Sequence, residues 1–316
     1  MTGSDVRLLT RREFSERCFA LSSWVSLSGA LALDTATAVA STETARTVKF
    51  RDGTIVPAIG QGSWHIGQER HPAAVEEEAL RTGLSLGMTL IDTAEGYSNG
   101  RSEELIGRAI AGQRDRVFLV SKVDHMTTGD SIARACEASL ARLRTEHLEL
   151  YLAHWRDRGA ALSVIVTAFE SLRTAGKIRA WGVSNFSVRD MEELFHIPHG
   201  DLCATNQVPY NIGDRAIERD LLPWSEQHGM PVMAYSPLGG LGASLLRDPT
   251  LTQIGEAHGC SAAAVVLAWT IRSGNVIAIP ESGSVAHVKE NAVALSLTLT
   301  PQEIQTLDAA HPPPHR

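Results

Sequence analysis

The sequence predicts an α/β chain folded as a (β/α)8 TIM barrel, with a β-hairpin ahead of the first barrel strand closing the barrel bottom. Three observations predict it. From Thr47 onward, short β-rich runs alternate with amphipathic stretches, eight times in succession. The 316 residues leave ample room for such a barrel, for which about 250 residues is typical. The doubly wound alternative needs a Gly-rich phosphate turn after its first strand, and "GQGSWHIG" (60–67) lacks the G-x-G-x-x-G spacing.

The elements follow in order. "TVKF-RDG-TIVPAI" reads as a hairpin turned by Asp52-Gly53. "IGQGSW" is the first strand and 73–87 its helix. "MTLIDT" precedes a helix over 102–112, "RVFLVSK" one over 131–143, and "HLELYLAHW" one over 164–176. "KIRAWGVSN" precedes 188–195, "CATNQV" precedes 216–229, and "PVMAYSP" precedes two helical stretches, 251–259 and 261–274. "NVIAIPES" is the eighth strand, with its helix over 285–295. Gly or Asn often follows the last periodic residue, where a left-handed cap is needed.

A barrel places its active site at the C-terminal ends of the strands. The polar and aromatic residues just past each strand are therefore the candidates: Trp64; Asp92 and Tyr97; Lys122; His154 and Trp155; Ser184 and Asn185; Gln207; Tyr235 and Ser236; Glu281 and Ser282. Taken singly, each has a plain structural reading as a helix cap, a surface ring or a core polar group. Their arrival from successive strand ends at one rim makes them a site.

Composition excludes several classes. With 43% hydrophobic and 21% charged residues the chain is ordinary globular protein, and a net charge of −7 without Lys/Arg blocks argues against nucleic acid as the main partner. No apolar run makes a convincing membrane span. Cys18, Cys136, Cys203 and Cys260 are widely spaced and form neither a disulfide framework nor a zinc pattern. No ligand cluster for a metal is evident.

Residues 1–45 read differently. "TRREF" (10–14) carries the adjacent pair Arg11-Arg12, a weakly apolar run covers 18–33, and "ATAVAS" (36–41) supplies a small-x-small cleavage pattern. These are the three parts of a secretory signal, and the arginine pair is similar to a twin-arginine export signal. The expected organisation is a leader over 1–45, cut after Ala40, and a barrel domain over 46–316. A periplasmic or exported enzyme, handled by the twin-arginine machinery, follows. If the segment is not used, the protein is cytoplasmic.

The barrel blocks reach a known family. "IDTAEGY", "LVSKV", "LYLAHW", "GKIRAWGVSNF", "TNQVPYN", "AYSPLGG" and "IPESGSVAHVKENA" resemble, in order, the blocks of the aldo/keto reductases, and the resemblance covers essentially all of 47–308. It implies a catalytic tetrad of Asp92, Tyr97, Lys122 and His154. Reducing a carbonyl needs a hydride at carbon and a proton at oxygen. Tyr97 is the implied proton donor, and a free phenol titrates near ~10. The ammonium of Lys122 is expected to ease its proton loss, Asp92 to hold Lys122, and His154 to orient the carbonyl oxygen.

The resemblance also implies a nicotinamide cofactor, NADP(H). Tyr235 would stack on the nicotinamide, and Ser184, Asn185 and Gln207 would hold its carboxamide. Gly62, Ser63, Trp64 and Asp92 would lie beside it. Ser236, Pro237, Leu238 and Gly239, within the segment 236–246, would line the pyrophosphate, and Glu290 and Asn291 would face the adenine.

The pattern departs at the eighth strand. The family's I-P-K-S there, with an Arg a few residues on, clamps the 2′-phosphate. This chain has Glu281 for the Lys and His287 for the Arg, while Ser282 is kept. A carboxylate ~5 Å from a phosphate costs on the order of 1–3 kcal/mol per charge pair. NAD(H) is therefore expected to be tolerated or preferred, unless Glu281 turns to solvent and Lys289 or Arg247 takes the phosphate.

The expected reaction is reduction of small aldehydes and dicarbonyls of the methylglyoxal type. Trp64 and Trp155 would give the pocket apolar walls, with Tyr97 and His154 facing the substrate. The short segment after His154 and the absence of a long tail after the last helix point to an open rim, and a monomer is expected. Two rivals remain on the same fold: a non-catalytic nicotinamide-binding sensor, and a hydrolase pairing Asp92 with Glu281 or Glu95.

Overall fold

The structure is a computed structural model that describes residues 45–313, apart from 125, 127, 157–160 and 241–243. The export signal expected over 1–45, with Arg11-Arg12, Cys18 and the cut after Ala40, lies outside the described residues but for residue 45. So does the 241–243 part of the expected pyrophosphate segment.

The hairpin forms as expected. β1 (Thr47–Lys49) pairs antiparallel with β2 (Ile55–Pro57), Val48 opposite Val56. Gly53 takes φ 93°, a left-handed turn position, and Asp52 Oδ1 accepts the Thr54 N–H at 2.9 Å. Phe50, at the hairpin's end, stacks on Phe118 with ring centroids 5.6 Å apart.

Seven strands then pair in parallel and in sequence order: β3 (Leu90–Asp92), β4 (Phe118–Val123), β5 (Leu148–Ala153), β6 (Ile178–Ser184), β7 (Asn206–Pro209), β8 (Val232–Tyr235) and β9 (Val276–Ala278). The first expected strand, "IGQGSW", is not a regular strand but a run of bridges. Ile59 bridges Ala278 of β9 and Gln61 bridges Ile91 of β3, both parallel, so this segment joins the two edges of the sheet and closes it into a ring. The approach is close. A Cβ on Gly60 would stand 2.7 Å from a Leu90 methyl, and one on Gly62 2.7 Å from the Ile279 carbonyl oxygen. Glycine at both positions lets the segment in.

The helices surround the ring: α1 (Ala73–Ser85), α2 (Arg101–Ala109), α3 (Gly129–Leu143), α4 (Leu162–Thr174), α5 (Val188–Phe195), α6 (Leu221–Gln227), α7 (Pro249–Ala257), α8 (Ala262–Thr270), α9 (Val285–Val293) and α10 (Pro301–Ala310). The helix expected over 216–229 splits into a 3-10 turn, Ala216–Arg219, and α6. Asp220, at φ −144° and ψ −54°, breaks it and accepts the Leu221 N–H at 2.6 Å. α10 lies beyond the eight units and begins with a capping box between Thr300 and Glu303. Among the described residues no helix is long and apolar enough to cross a membrane.

One packing contact supports the closing segment. The buried Gln61 side chain lies on Gly83 of α1, with Nε2 donating to the Leu80 and Met88 carbonyls at 3.3 and 3.0 Å. A Cβ on Gly83 would fall 2.1 Å from Gln61 Oε1. Gly83→Ala, which helix propensity alone would favour, is expected to destabilise the protein by about 1–3 kcal/mol by displacing this amide. An unchanged melting temperature would refute the contact's importance.

Candidate active site

The strand ends bring the four tetrad side chains together. β3 and β4 pair with Asp92 beside Val120, and Lys122 follows on the same face two residues further along β4. Lys122 is fully buried. Its Nζ donates to Asp92 Oδ2 at 2.8 Å, to the Thr93 carbonyl at 2.8 Å and to the Tyr97 hydroxyl at 3.1 Å. All three ammonium donors are thereby satisfied. Asp92 is 2% exposed, and its other oxygen accepts from Gln207 Nε2 at 2.8 Å. Tyr97 opens a single 3-10 turn, Tyr97–Gly100, within which Ser98 and Asn99 have positive φ, so the chain folds back and lays the phenol over the strand ends.

Burial disfavours the Lys122 charge, but the Asp92 carboxylate and the Tyr97 phenol outweigh it and raise the ammonium's pKa above its ordinary value. The Tyr97 phenol is also raised. Burial is the largest cause, and Asp92 adds to it, against the lowering effect of Lys122. Lys122 thus acts in the direction the sequence implies, toward proton loss, but burial outweighs it, and Tyr97 is protonated through the neutral range. It is held as an acid.

His154 follows β5, and its ring meets Tyr97 edge-on at 5.8 Å. Its Nδ1 bonds to Asp124, a residue that sequence reasoning did not single out. Glu95, the other acid of the hydrolytic alternative, supports Asp124 instead. It accepts the Asp124 N–H at 2.7 Å, and burial raises its carboxyl against that hydrogen bond. The Asp92–Glu281 pairing fails as well, because both Asp92 oxygens are engaged and Glu281 is turned to His65.

A second group of polar residues adjoins the tetrad. Ser184 Oγ donates to the Gln207 carbonyl at 2.8 Å and accepts from Asn185 Nδ2 at 3.0 Å. The Tyr235 hydroxyl donates to Asn185 Oδ1 at 2.9 Å. Asn185 reaches this position with φ 62°, and its Nδ2 also donates to the His154 carbonyl at 3.2 Å. A hydroxyl and two amides beside an aromatic ring tethered at its oxygen suit a flat heterocycle bearing a carboxamide, so the residues fit a nicotinamide. Trp64 and Trp155 stand about half exposed, the latter stacked on His154 at 5.4 Å.

Other predicted contacts are placed differently. Ser63 is buried and spends its hydroxyl on the Asp92 carbonyl at 2.8 Å, so its side chain supports the β3 end instead of facing the rim. Ser282 Oγ accepts the Ser284 N–H at 3.0 Å, shaping the turn into α9. On α9, His287 and Glu290 are exposed, whereas Asn291 is buried. Pro237 is buried and Leu238 half-buried. Ser236 and Gly239 line a cavity of about 550 Å³ with Asn211, Ser244, Leu245 and Arg247. None of the tetrad lines that cavity.

Glu281 bridges to Gly62 across the closing segment, and both its oxygens meet His65 Nδ1, at 2.8 and 3.0 Å. Burial raises its carboxyl, while His65 and then Arg70 act to lower it. The pairing was not legible in the sequence: the two residues sit at opposite ends of the chain, and only ring closure makes them neighbours.

The aldo/keto reductase family model matches residues 58–312. The chain belongs to the aldo/keto reductase family. Members are NAD(P)-dependent oxidoreductases, and this aldo/keto reductase is an enzyme of that class. It is 48% identical over 271 residues to the methylglyoxal reductase YeaE of Escherichia coli (strain K12), covering 84% of this chain and 95% of that protein. To the glyoxal reductase of Bacillus subtilis (strain 168) it is 33% identical over 268 residues, 83% and 92% of the two chains. The crystal structure of an aldo/keto reductase from Klebsiella pneumoniae in complex with NADP and acetate superposes with a TM-score of 0.83 at 46% identity, covering 86% of this chain and 98% of that one.

Proposed function

We propose that the chain reduces small aldehydes and dicarbonyls of the methylglyoxal type to alcohols, using NADPH, with Tyr97 as the proton donor. The observation that carries this is the buried chain Asp92–Lys122–Tyr97, which ends in a protonated phenol at the rim. The methylglyoxal and glyoxal reductases among the relatives support the substrate class. Bound nicotinamide supplies the hydride to the carbonyl carbon. As that bond forms, the π pair moves to oxygen, which takes the proton of Tyr97. The phenolate left behind is stabilised by Lys122 until solvent returns the proton. His154 orients the oxygen, and Trp64 and Trp155 wall the opening. Asn185 and Ser184 hold the carboxamide. Gln207 joins them through the part of its amide not used on Asp92, and Tyr235 gives the ring a face to lie against.

Crystal structures of Klebsiella pneumoniae aldo-keto reductase with NADP and with NADPH support NADP(H) as cofactor. We infer that NADH is also used. Glu281 stands where the family has its phosphate-binding Lys, and an acid there disfavours a 2′-phosphate and suits a ribose hydroxyl. It does not turn freely to solvent. His65 meets its charge and moderates the repulsion, so a modest NADPH preference is the expected outcome. A ratio of kcat/KM for NADPH over NADH below about 100, roughly 2.7 kcal/mol, is predicted, and a larger ratio would overturn the charge argument.

The same reading places the β1–β2 hairpin across the barrel end opposite the site. Phe50 stacks on Phe118, which starts β4, whereas Lys122 lies toward the other end of that strand. It takes 1–45 as an export leader ahead of a catalytic domain over 46–316, acting as a monomer outside the cytoplasm. Mass spectrometry of the mature N-terminus tests this, with cleavage after Ala40 expected and a cytoplasmic protein retaining Met1 as the contrary result.

A further inference from the structure

Among the described residues, Asp124 is the charged group seen to bond to the His154 ring, and the tetrad does not account for it. It lies two residues beyond Lys122, just past the end of β4. Its Oδ1 meets His154 Nδ1, with both side chains largely buried. The carboxylate is also set into the turn that delivers Tyr97. Its own N–H is held by Glu95, and a Cβ on Gly96 would stand 1.9 Å from its Oδ2, so a side chain there would expel it.

We propose that Asp124 is a positioning residue that commits His154 Nδ1, so that the ring meets the substrate oxygen only through Nε2 and donates to it only as the doubly protonated imidazolium. The inference rests on the function proposed above, in which His154 faces the carbonyl. A neutral imidazole has one N–H. If Nδ1 gives it to the carboxylate, Nε2 presents a lone pair toward the lone pairs of the carbonyl oxygen. A second proton turns that repulsion into a charged hydrogen bond, which strengthens as negative charge develops on oxygen during hydride addition.

Among the described residues, the charged and titratable groups around the ring come from three elements. Asp124 and Lys122 come from β4 and the residues after it, Asp92 from β3, and Glu95 and Tyr97 from the turn that follows β3. The Lys122 charge is met by Asp92 at 2.8 Å, and Tyr97 stays protonated because burial raises it. Arg156, two residues along the chain, pairs with Asp190 and Glu193. Among the described residues, Asp124 is therefore the charge that bonds to the ring itself.

The test is methylglyoxal reduction by NADPH from about pH 6 to 9, the range in which imidazoles change charge. Wild type, Asp124→Asn, Asp124→Glu and Tyr97→Phe are compared, with NADPH binding measured for each by fluorescence. Wild-type kcat/KM should fall as pH rises and the ring loses its second proton. The amide of Asp124→Asn can donate to Nδ1, so the neutral ring carries its proton on Nε2. That variant should lose about tenfold at the low-pH end and become flat with pH, while Asp124→Glu restores the slope. NADPH affinity should be unchanged. Independently of activity, the ring ¹⁵N shifts of His154 in the wild-type protein should show both nitrogens protonated at low pH and Nδ1–H alone at high pH. A neutral Nε2–H tautomer would overturn the proposal even if a variant failed to fold. Parallel pH profiles for wild type and Asp124→Asn, with Tyr97→Phe inactive, would overturn it while leaving the tetrad standing. An active Tyr97→Phe would remove the tetrad reading and this proposal together.

Discussion

Tyr97→Phe is expected to lower kcat for dicarbonyl reduction by about 10²–10⁴-fold and to change NADPH affinity little. The substitution keeps the ring, its edge-on contact with His154 at 5.8 Å and the fold of the turn, and removes one oxygen. Lys122 retains its bonds to Asp92 and to the Thr93 carbonyl, so two of its three hydrogen bonds survive and the buried charge stays met. Ser184, Asn185 and Tyr235, proposed to hold the nicotinamide, bond to one another, and Tyr97's hydroxyl bonds instead to Lys122. The loss should therefore be chemical. Because burial holds the phenol above its ordinary pKa, Tyr97 is protonated across neutral pH, and no part of its own titration should appear in the wild-type profile below about pH 10. A Phe variant that kept most of its turnover would show that the proton reaches the substrate by another route, with His154 as the first candidate.

Asp92, Lys122 and His154 were legible as candidates because strand ends are visible in a sequence as apolar runs stopping at a polar residue, whereas grouping them with Tyr97, which lies in the turn after β3, came from the family resemblance. "LIDT" and "LVSK" announce Asp92 and Lys122 in this way, and barrel order alone makes them neighbours. What was not legible depends on burial or on ring closure. The direction of the Tyr97 pKa follows from burial outweighing the Lys122 charge, and no residue type states that balance. The His65–Glu281 pair exists because the segment around Gly62 closes the ring against β9. Asp124 carried a usable signal, an acid two residues past the buried lysine, but an acid after a strand usually reads as a helix cap. The resemblance implies a carboxamide role for Gln207, and nothing in the sequence shows that its Nε2 also steadies Asp92. The helix over 216–229 read as continuous because its apolar spacing persists through Asp220, whose own side chain ends the first turn by capping the second.

Lys122→Met should show how far the same group serves stability and chemistry. Removing the ammonium leaves Asp92 Oδ2 buried without its partner, while Gln207 still donates to Oδ1. Deleting one member of a buried ion pair destabilises by about 3–5 kcal/mol, because the remaining charge is stranded. A fall of that size in urea-unfolding free energy is expected, together with loss of turnover at least as large as in Tyr97→Phe. The double variant Asp92→Asn/Lys122→Met removes both charges and should recover much of the stability and none of the activity. The alkaline limb gives the sign. The Lys122 pKa is raised in the folded state, so its contribution is fully present below the unfolded value near ~10.4 and is lost as pH rises through the folded one. The stability gap between wild type and Lys122→Met should hold through neutral pH and narrow only at the alkaline extreme. If the single variant were as stable as wild type at pH 7, Asp92 would have to be neutral or hydrated in the folded protein, and the ion pair could not be what holds the tetrad in place. If the double variant regained activity along with stability, the ammonium would matter only to the fold, and the phenol would need another source of stabilisation as its proton leaves.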